Sequence, residues 1–235
     1  MYIGKSKNIR KRIITHFSTD AENVKMQKLK KEVADINYEV TGSELAALLL
    51  ENSEIKRYWP PYNSMQRGKK YRYGVYPGKN KNGYVTIDIR MLNPDEEEIL
   101  KLTTRRSVEF FIQRVIEQYE IVPELCGFSP DRKFSIKGVP AKMYNYRVRK
   151  VFSEYRFNPQ SFLLITEGRT LDERAVIWVE DHAYQGFGFI DRQFDADKVV
   201  EIRNVVKPFS DNPEARRIIK QWLRKKRKSD LLIKL

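Results

Sequence analysis

The hydrophobic positions of this chain change period several times, and each change marks an element. Met1–Ile3 reads as the end of a strand, punctuated by Gly4. Asn8 is placed to cap a short helix on which Ile9, Ile13 and Phe17 recur at i, i+4 and i+8, along one face. A second helix is predicted over Asn23–Val33, with Val24, Leu29 and Val33 among its apolar positions. Ile36–Val40 (INYEV) alternates like a strand. Thr41-Gly42-Ser43 then turns the chain, and Ser43 can cap a long helix from Glu44 to about Trp59. Pro60 and Pro61 stop it.

Beyond that point the pattern becomes more strand-like. SMQRGKK is polar and contains glycine, so a boundary is placed there, dividing the chain into residues 1–68 and 69–235. Arg72–Tyr76 and Tyr84–Met91 read as two strands around PGKNKNG, with Asn82-Gly83 as the turn. Val85, Ile87, Ile89 and Met91 share one face of the second strand. Ser107–Tyr119 is an amphipathic helix, and a Pro- and Gly-containing loop covers roughly 122–140. Tyr144–Tyr155 is read as a further helix. SFLLIT, RAVIWVE and AYQGFGFI predict an antiparallel sheet, and a helix runs from Pro213 to about Lys228. The expected class is α+β: a small α/β domain followed by a mixed antiparallel-sheet-plus-helix extension.

Composition narrows the function. The 235 residues carry 45 Lys+Arg against 31 Asp+Glu, a formal charge of +14. That surplus points first to nucleic acid as a partner and second to an anionic membrane surface. A hydrophobic content of 41% supports a packed core. Cys126 is the single cysteine, which excludes an internal disulfide or a multi-cysteine zinc site. No apolar run approaches the ~20 residues needed to cross a bilayer, and the N-terminus has no signal-peptide core. The chain is expected to be soluble and cytoplasmic.

The candidate chemistry lies in the first 63 residues. Tyr2 and Lys5 flank a glycine turn, and Arg12 and His16 stand four apart on the next helix. LAALLLE runs six apolar residues, Leu45 to Leu50, into Glu51. A carboxylate on a helix that is otherwise burying surface needs a cation or a metal ion to offset desolvation. A phenol, an ammonium, a guanidinium and a single carboxylate form a phosphodiesterase set. The phenol or a lysine-assisted phenolate can deprotonate water, the arginine can stabilise charge developing on phosphate oxygens, and the carboxylate can hold one divalent ion. Each residue also has a plain alternative: a surface ion pair for Glu51, a solvated basic face for Lys5 and Arg12, helix packing beside Phe17 for His16, and an ordinary strand tyrosine for Tyr2.

YIGKSKNIRKRIITHF resembles the second half of the GIY-YIG nuclease signature, in the version carried by UvrC-type excision-repair nucleases. TGSELAALLLENSEIKRYWPPYN is similar to the third and fourth motifs of the same family. The resemblance implies a Mg²⁺- or Mn²⁺-dependent DNA endonuclease that nicks a strand in DNA repair or processing. It implies Tyr2 as general base, Gly4 for the turn and Lys5 as the basic residue near that tyrosine. Arg12 is then the catalytic arginine, and His16 stands where the family has tyrosine or histidine. Glu51 is the metal-binding glutamate, and Asn63 closes the domain and holds its geometry. The family's GIY strand belongs upstream of Tyr2, so the resemblance implies an N-terminally shortened domain that lacks its first strand. The alternative is a non-catalytic DNA-binding protein that keeps a degenerate form of the fold.

From Tyr71 onward the chain is similar to bacterial proteins that fuse a proofreading-type exonuclease, a GIY-YIG domain and a C-terminal extension. ELCGF, YNYRV, LLITEGRTLDERAVIWVED and YQGFGFID carry that likeness. Relatives often have several cysteines between the first two, and with Cys126 alone no metal site is expected there. Glu180-Asp181-His182 is read as a solvated turn between strands. In the terminal helix, Arg216, Arg217, Lys220, Arg224, Lys225 and Arg227 are candidate phosphate contacts, as are Lys7, Arg10 and Lys11 near the N-terminus. For the terminal helix, cations complementing the helix dipole are the competing reading. The expected partners are DNA and other repair or replication proteins, with no membrane.

Overall fold

The computed structural model describes residues 1–18, 24–63, 71–93, 95–128, 135–157, 159–193, 199–225 and 228–235. In chain order its elements are α1 (Ile9–Ser18), α2 (Val24–Glu32), α3 (Glu44–Tyr58), β1 (Tyr73–Lys79), β2 (Val85–Met91) and β3 (Leu100–Leu102). Then follow α4 (Arg105–Tyr119), a 3₁₀ turn (Pro123–Cys126), α5 (Ala141–Tyr155), β4 (Phe162–Glu167), β5 (Glu173–Glu180) and β6 (Ala183–Asp191). The chain ends with α6 (Val199–Val205), β7 (Val206–Pro208), α7 (Pro213–Lys225) and β8 (Leu231–Lys234). The class is α+β, with antiparallel sheets. Contacts gather the chain into two units, Met1–Gly68 with Pro159–Leu235, and Lys69–Asn158.

In the first unit, α3 is the central helix. Ser43 caps it by accepting the Ala46 N–H at 3.1 Å. Trp59 ends it in the left-handed region (φ 47°), its N–H donating to Ile55 O, and Pro60 cannot extend it. Leu45, Ala46, Leu49 and Ile55 are buried. Buried Asn52 donates to Asn212 Oδ1 at 3.1 Å, and the same oxygen caps α7 by accepting the Ala215 N–H. Lys56 pairs with Glu214 at 3.5 Å. Gly42 has φ +68°, and a Cβ there would lie 1.9 Å from Gly168 O. Only glycine lets the approach to α3 lie against the β4–β5 connection.

The sheet of this unit has the order β7-β6-β5-β4-β8, all antiparallel. Ala175–Val179 is buried at every position, as a central strand covered on both faces must be. Leu163, Ile165, Val176, Trp178, Ile190 and Ile202 cluster on one side. Asp181 and His182 both have positive φ, the two-residue hairpin turn between β5 and β6.

The second unit packs the antiparallel sheet β2-β1-β3 against α4 and α5. Val75, Ile87, Phe111, Ile112, Tyr144 and Val148 form much of its core. Asn145 ties α5 to the hairpin, accepting the Val85 N–H at 2.7 Å and donating to Gly83 O at 3.0 Å. Cys126 is buried in this core, and burial pushes its thiol pKa up to about 12.

Two expected strands are absent as strands. Met1–Ile3 and Ile36–Val40 take no regular secondary structure and join no ladder among the described residues. A strand is defined by a partner, and alternation alone does not supply one. Ile36, Tyr38 and Val40 are accordingly exposed. The expected boundary at SMQRGKK, residues 64–70, lies outside the described residues. No helix among the described residues is long and apolar enough to cross a membrane.

Candidate active site

The N-terminal segment is held in place by a side chain from beyond α3. Asn63 Oδ1 accepts the Ile3 N–H at 2.9 Å, and Asn63 Nδ2 donates to Ile3 O at 2.6 Å. The carboxamide thus satisfies both main-chain groups of Ile3, as a neighbouring strand would. Tyr2 and Gly4 lie on either side of this clamp. The Tyr2 ring folds back over Gly4, where a Cβ would sit 3.0 Å from Tyr2 Cε1 and Oη. A larger residue at position 4 would displace the phenol.

Helix α1 brings two more groups to that ring. Asn8 caps it, accepting the Lys11 N–H at 2.9 Å. Arg12 and His16, one helical turn apart, both reach Tyr2. Arg12 Nη2 donates to Tyr2 Oη at 3.3 Å. The His16 ring lies tilted against Tyr2, with centroids 5.3 Å apart. His16 Nε2 is buried without a hydrogen-bond partner among the described residues. Burial, and secondly the charge of Arg12, hold the His16 pKa below 6.5, so the imidazole favours its neutral form.

Glu51 stands half-buried on α3. Desolvation raises its pKa, opposed by the charge of Lys5, the Lys5 backbone amide and the charge of Arg12. Its carboxylate therefore sits in the field of two of the other candidate residues. Among the described residues, no group of three or more His, Cys, Asp or Glu is placed to hold a metal ion. A site here would rest on this one carboxylate, with water completing the shell, a donor set that suits Mg²⁺.

One residue of the site escaped the sequence reading. Glu44 takes both nearby lysines, Lys5 at 3.1 Å and Lys7 at 3.9 Å. Its only signal was an acid in the first turn of a helix, directly after the cap. Tyr2, Lys5, Arg12, His16, Glu51 and Asn63 are thus linked through hydrogen bonds, ring contact or electrostatics, with Lys5 leaning on Glu44.

The structure separates the basic candidates. Arg10 and Lys11 are exposed on α1, and Lys7 is exposed beside Glu44. On α7, Arg217, Arg224 and Lys225 are exposed, and Lys220 is half-buried. Arg216 is turned inward, bound to Asp211 through Nε at 2.6 Å and Nη2 at 2.5 Å. Asp211 also accepts the Tyr184 N–H, so Arg216 belongs to the packing of α7 on β6. Arg227 lies outside the described residues.

Residues 1–64 match the UvrC-like GIY-YIG domain. This region of UvrC-like type holds all six residues gathered around Tyr2 and Glu51. The chain is 45% identical over 74 residues to the UvrABC system protein C of Shewanella sediminis, covering 31% of this chain and 12% of that protein. The same values hold for UvrABC system protein C of Colwellia psychrerythraea. For the protein of that name from Methanococcus maripaludis, identity is 39% over 95 residues, 35% of this chain and 18% of the relative. The chain therefore matches only 12–18% of the length of these curated relatives. No solved structure matches it.

Proposed function

We propose that this chain carries a DNA-nicking site of the GIY-YIG type, acting in DNA repair or processing. The observation that carries this reading is the convergence of Arg12 and His16 on Tyr2, with Glu51 in the field of Lys5 and Arg12. Tyr2 acts as the base in its phenolate form, having first given up its own proton, and then takes a proton from the attacking water. Arg12 fills one acceptor site on its oxygen, and neutral His16 stands beside the ring as a further proton acceptor. The guanidinium of Arg12 also neutralises charge as it develops on the phosphate oxygens. Asn63 holds the Tyr2 segment, and Glu44 anchors Lys5.

Glu51 is the residue that would hold a divalent ion, Mg²⁺ or Mn²⁺. Its desolvated carboxylate gains from a cation, and a single ligand leaves room for the ion's waters. Bound there, such an ion would supply Lewis-acid polarisation of the phosphate. Exposed Lys7, Arg10 and Lys11, together with Arg217, Arg224, Lys225 and Lys220, supply sequence-independent phosphate attraction.

Incubation with supercoiled plasmid and Mg²⁺ tests the reading. The parent converts plasmid to the nicked form, and Glu51→Ala and Arg12→Ala do not. Equal nicking by all three would remove these residues from the chemistry. Plasmid bound but left intact by the parent would favour the non-catalytic DNA-binding alternative.

A further inference from the structure

The second unit contains an open cavity of about 490 Å³ between the start of α4, β3 and the end of α5. Leu100, Leu102, Phe111 and Tyr155 are among its apolar lining, and Phe110 and Arg106 line it as well. Nothing in the candidate active site uses it. Phe110 is 70% exposed although it directly precedes core residue Phe111. An aromatic ring left in water beside a cavity forgoes the burial that its size offers.

The charges around the cavity are sorted. Arg105 pairs with Glu109 at 3.5 Å, and Arg114 with Glu154 at 2.5 Å. Arg114 also lies over the Tyr155 ring at 5.6 Å. Those two guanidiniums are committed. Arg106 makes no ion pair with any described residue, is exposed, and no carboxylate lines the cavity. The cavity therefore offers an aromatic face, an apolar floor and one unneutralised guanidinium. Its volume is within the usual range for small-molecule sites. An anion carrying a flat ring meets all three features, and a nucleotide is such a group.

We propose that this cavity takes an unpaired nucleotide of a DNA strand, its base stacked on Phe110 and its phosphate on Arg106. Bases in a duplex have no free face, so the site reads single-stranded character rather than sequence. The proposal rests on the DNA-directed reading above and adds to it a preference for substrates with an unpaired segment.

Binding of a fluorescent oligothymidylate to the whole chain tests it, in a Glu51→Ala background where hydrolysis is silenced. Binding and cleavage then fail independently. Phe110→Ala is expected to weaken binding by about tenfold, while Phe110→Trp keeps or tightens it. Arg106→Ala is expected to lower the salt dependence by roughly 0.7 in slope, one phosphate contact on a single strand. Duplex binding stays unchanged in each variant. Oligothymidylate binding equal to the parent in both alanine variants would overturn the proposal. So would the same loss on duplex as on single strand, or displacement of the oligonucleotide by micromolar thymidine monophosphate. Phe110 is exposed, so its replacement leaves the fold intact, which the melting temperature checks.

Discussion

Asn63 pairs with Ile3 as a strand would, closing both main-chain hydrogen bonds of a residue 60 positions earlier. That single carboxamide fixes the segment bearing Tyr2 and Lys5. Asn63→Ala leaves a part-buried N–H and C=O without these partners, a cost of about 1–3 kcal/mol. Denaturant unfolding is expected to register that loss, and nicking to fall with it as Tyr2 moves away from Arg12. Asn63→Asp keeps the acceptor, loses the donor and should fall between. Nicking at the parent rate in Asn63→Ala would show that Tyr2 needs no such clamp.

Glu51 links the site to stability. Its pKa is raised above the ordinary 4.5, so the native state holds the proton more tightly than the unfolded chain does. The charged form is therefore disfavoured in the fold, and stability falls as pH rises from 4.5 through the raised value. Glu51→Gln removes this cost. Its melting temperature at neutral pH is expected to rise above that of the parent. The gain should vanish below 4.5. Adding Mg²⁺ should stabilise the parent and not the variant, which calorimetry can read.

His16 carries the opposite sign. Its folded pKa lies below 6.5, through burial first and the Arg12 charge second. Below 6.5 the unfolded chain binds the extra proton and the native state resists it, so stability drops as pH falls through that window. The acid limb of nicking is expected below 6.5 for the same reason. Proton NMR of the imidazole follows this directly, and Arg12→Gln should move the titration partly back toward 6.5.

Gly42 tests the packing of the first unit. A Cβ at φ +68°, 1.9 Å from Gly168 O, cannot be accommodated without backbone movement. Gly42→Ala is expected to cost more than about 1 kcal/mol, seen as a lower melting temperature. An unchanged melting temperature would mean that the β4–β5 connection yields freely.

The legible parts of the sequence were those with local punctuation. Ser43 and Pro60 bracket α3, and Asn82-Gly83 sets the β1–β2 hairpin. Glu180-Asp181-His182 marks a turn because three polar residues interrupt two apolar strands. Strands β3, β7 and β8 were missed, each only three or four residues long and dependent on neighbours for hydrogen bonds. Met1–Ile3 and Ile36–Val40 carry a strand's pattern without a ladder among the described residues. The contact of α3 with α7 has no local signature, since Asn52 and Asn212 are 160 residues apart. In the site, Arg12 and His16 were legible from helical spacing alone. The pairing of Lys5 with Glu44 and of Arg216 with Asp211 was not, because a charge run does not state which cations the fold consumes.

The nicking rate of parent and Glu51→Gln, compared at equal plasmid occupancy, tests the central claim most directly. Occupancy is set by binding measured in Ca²⁺, and the reaction is started with Mg²⁺. Loss of a group acting on the reacting phosphate is expected to slow nicking by about 100-fold or more, a change of roughly 2.7 kcal/mol in the barrier. Binding should be unchanged. Equal rates for the two proteins, or nicking by the parent that persists in a chelator, would contradict the account.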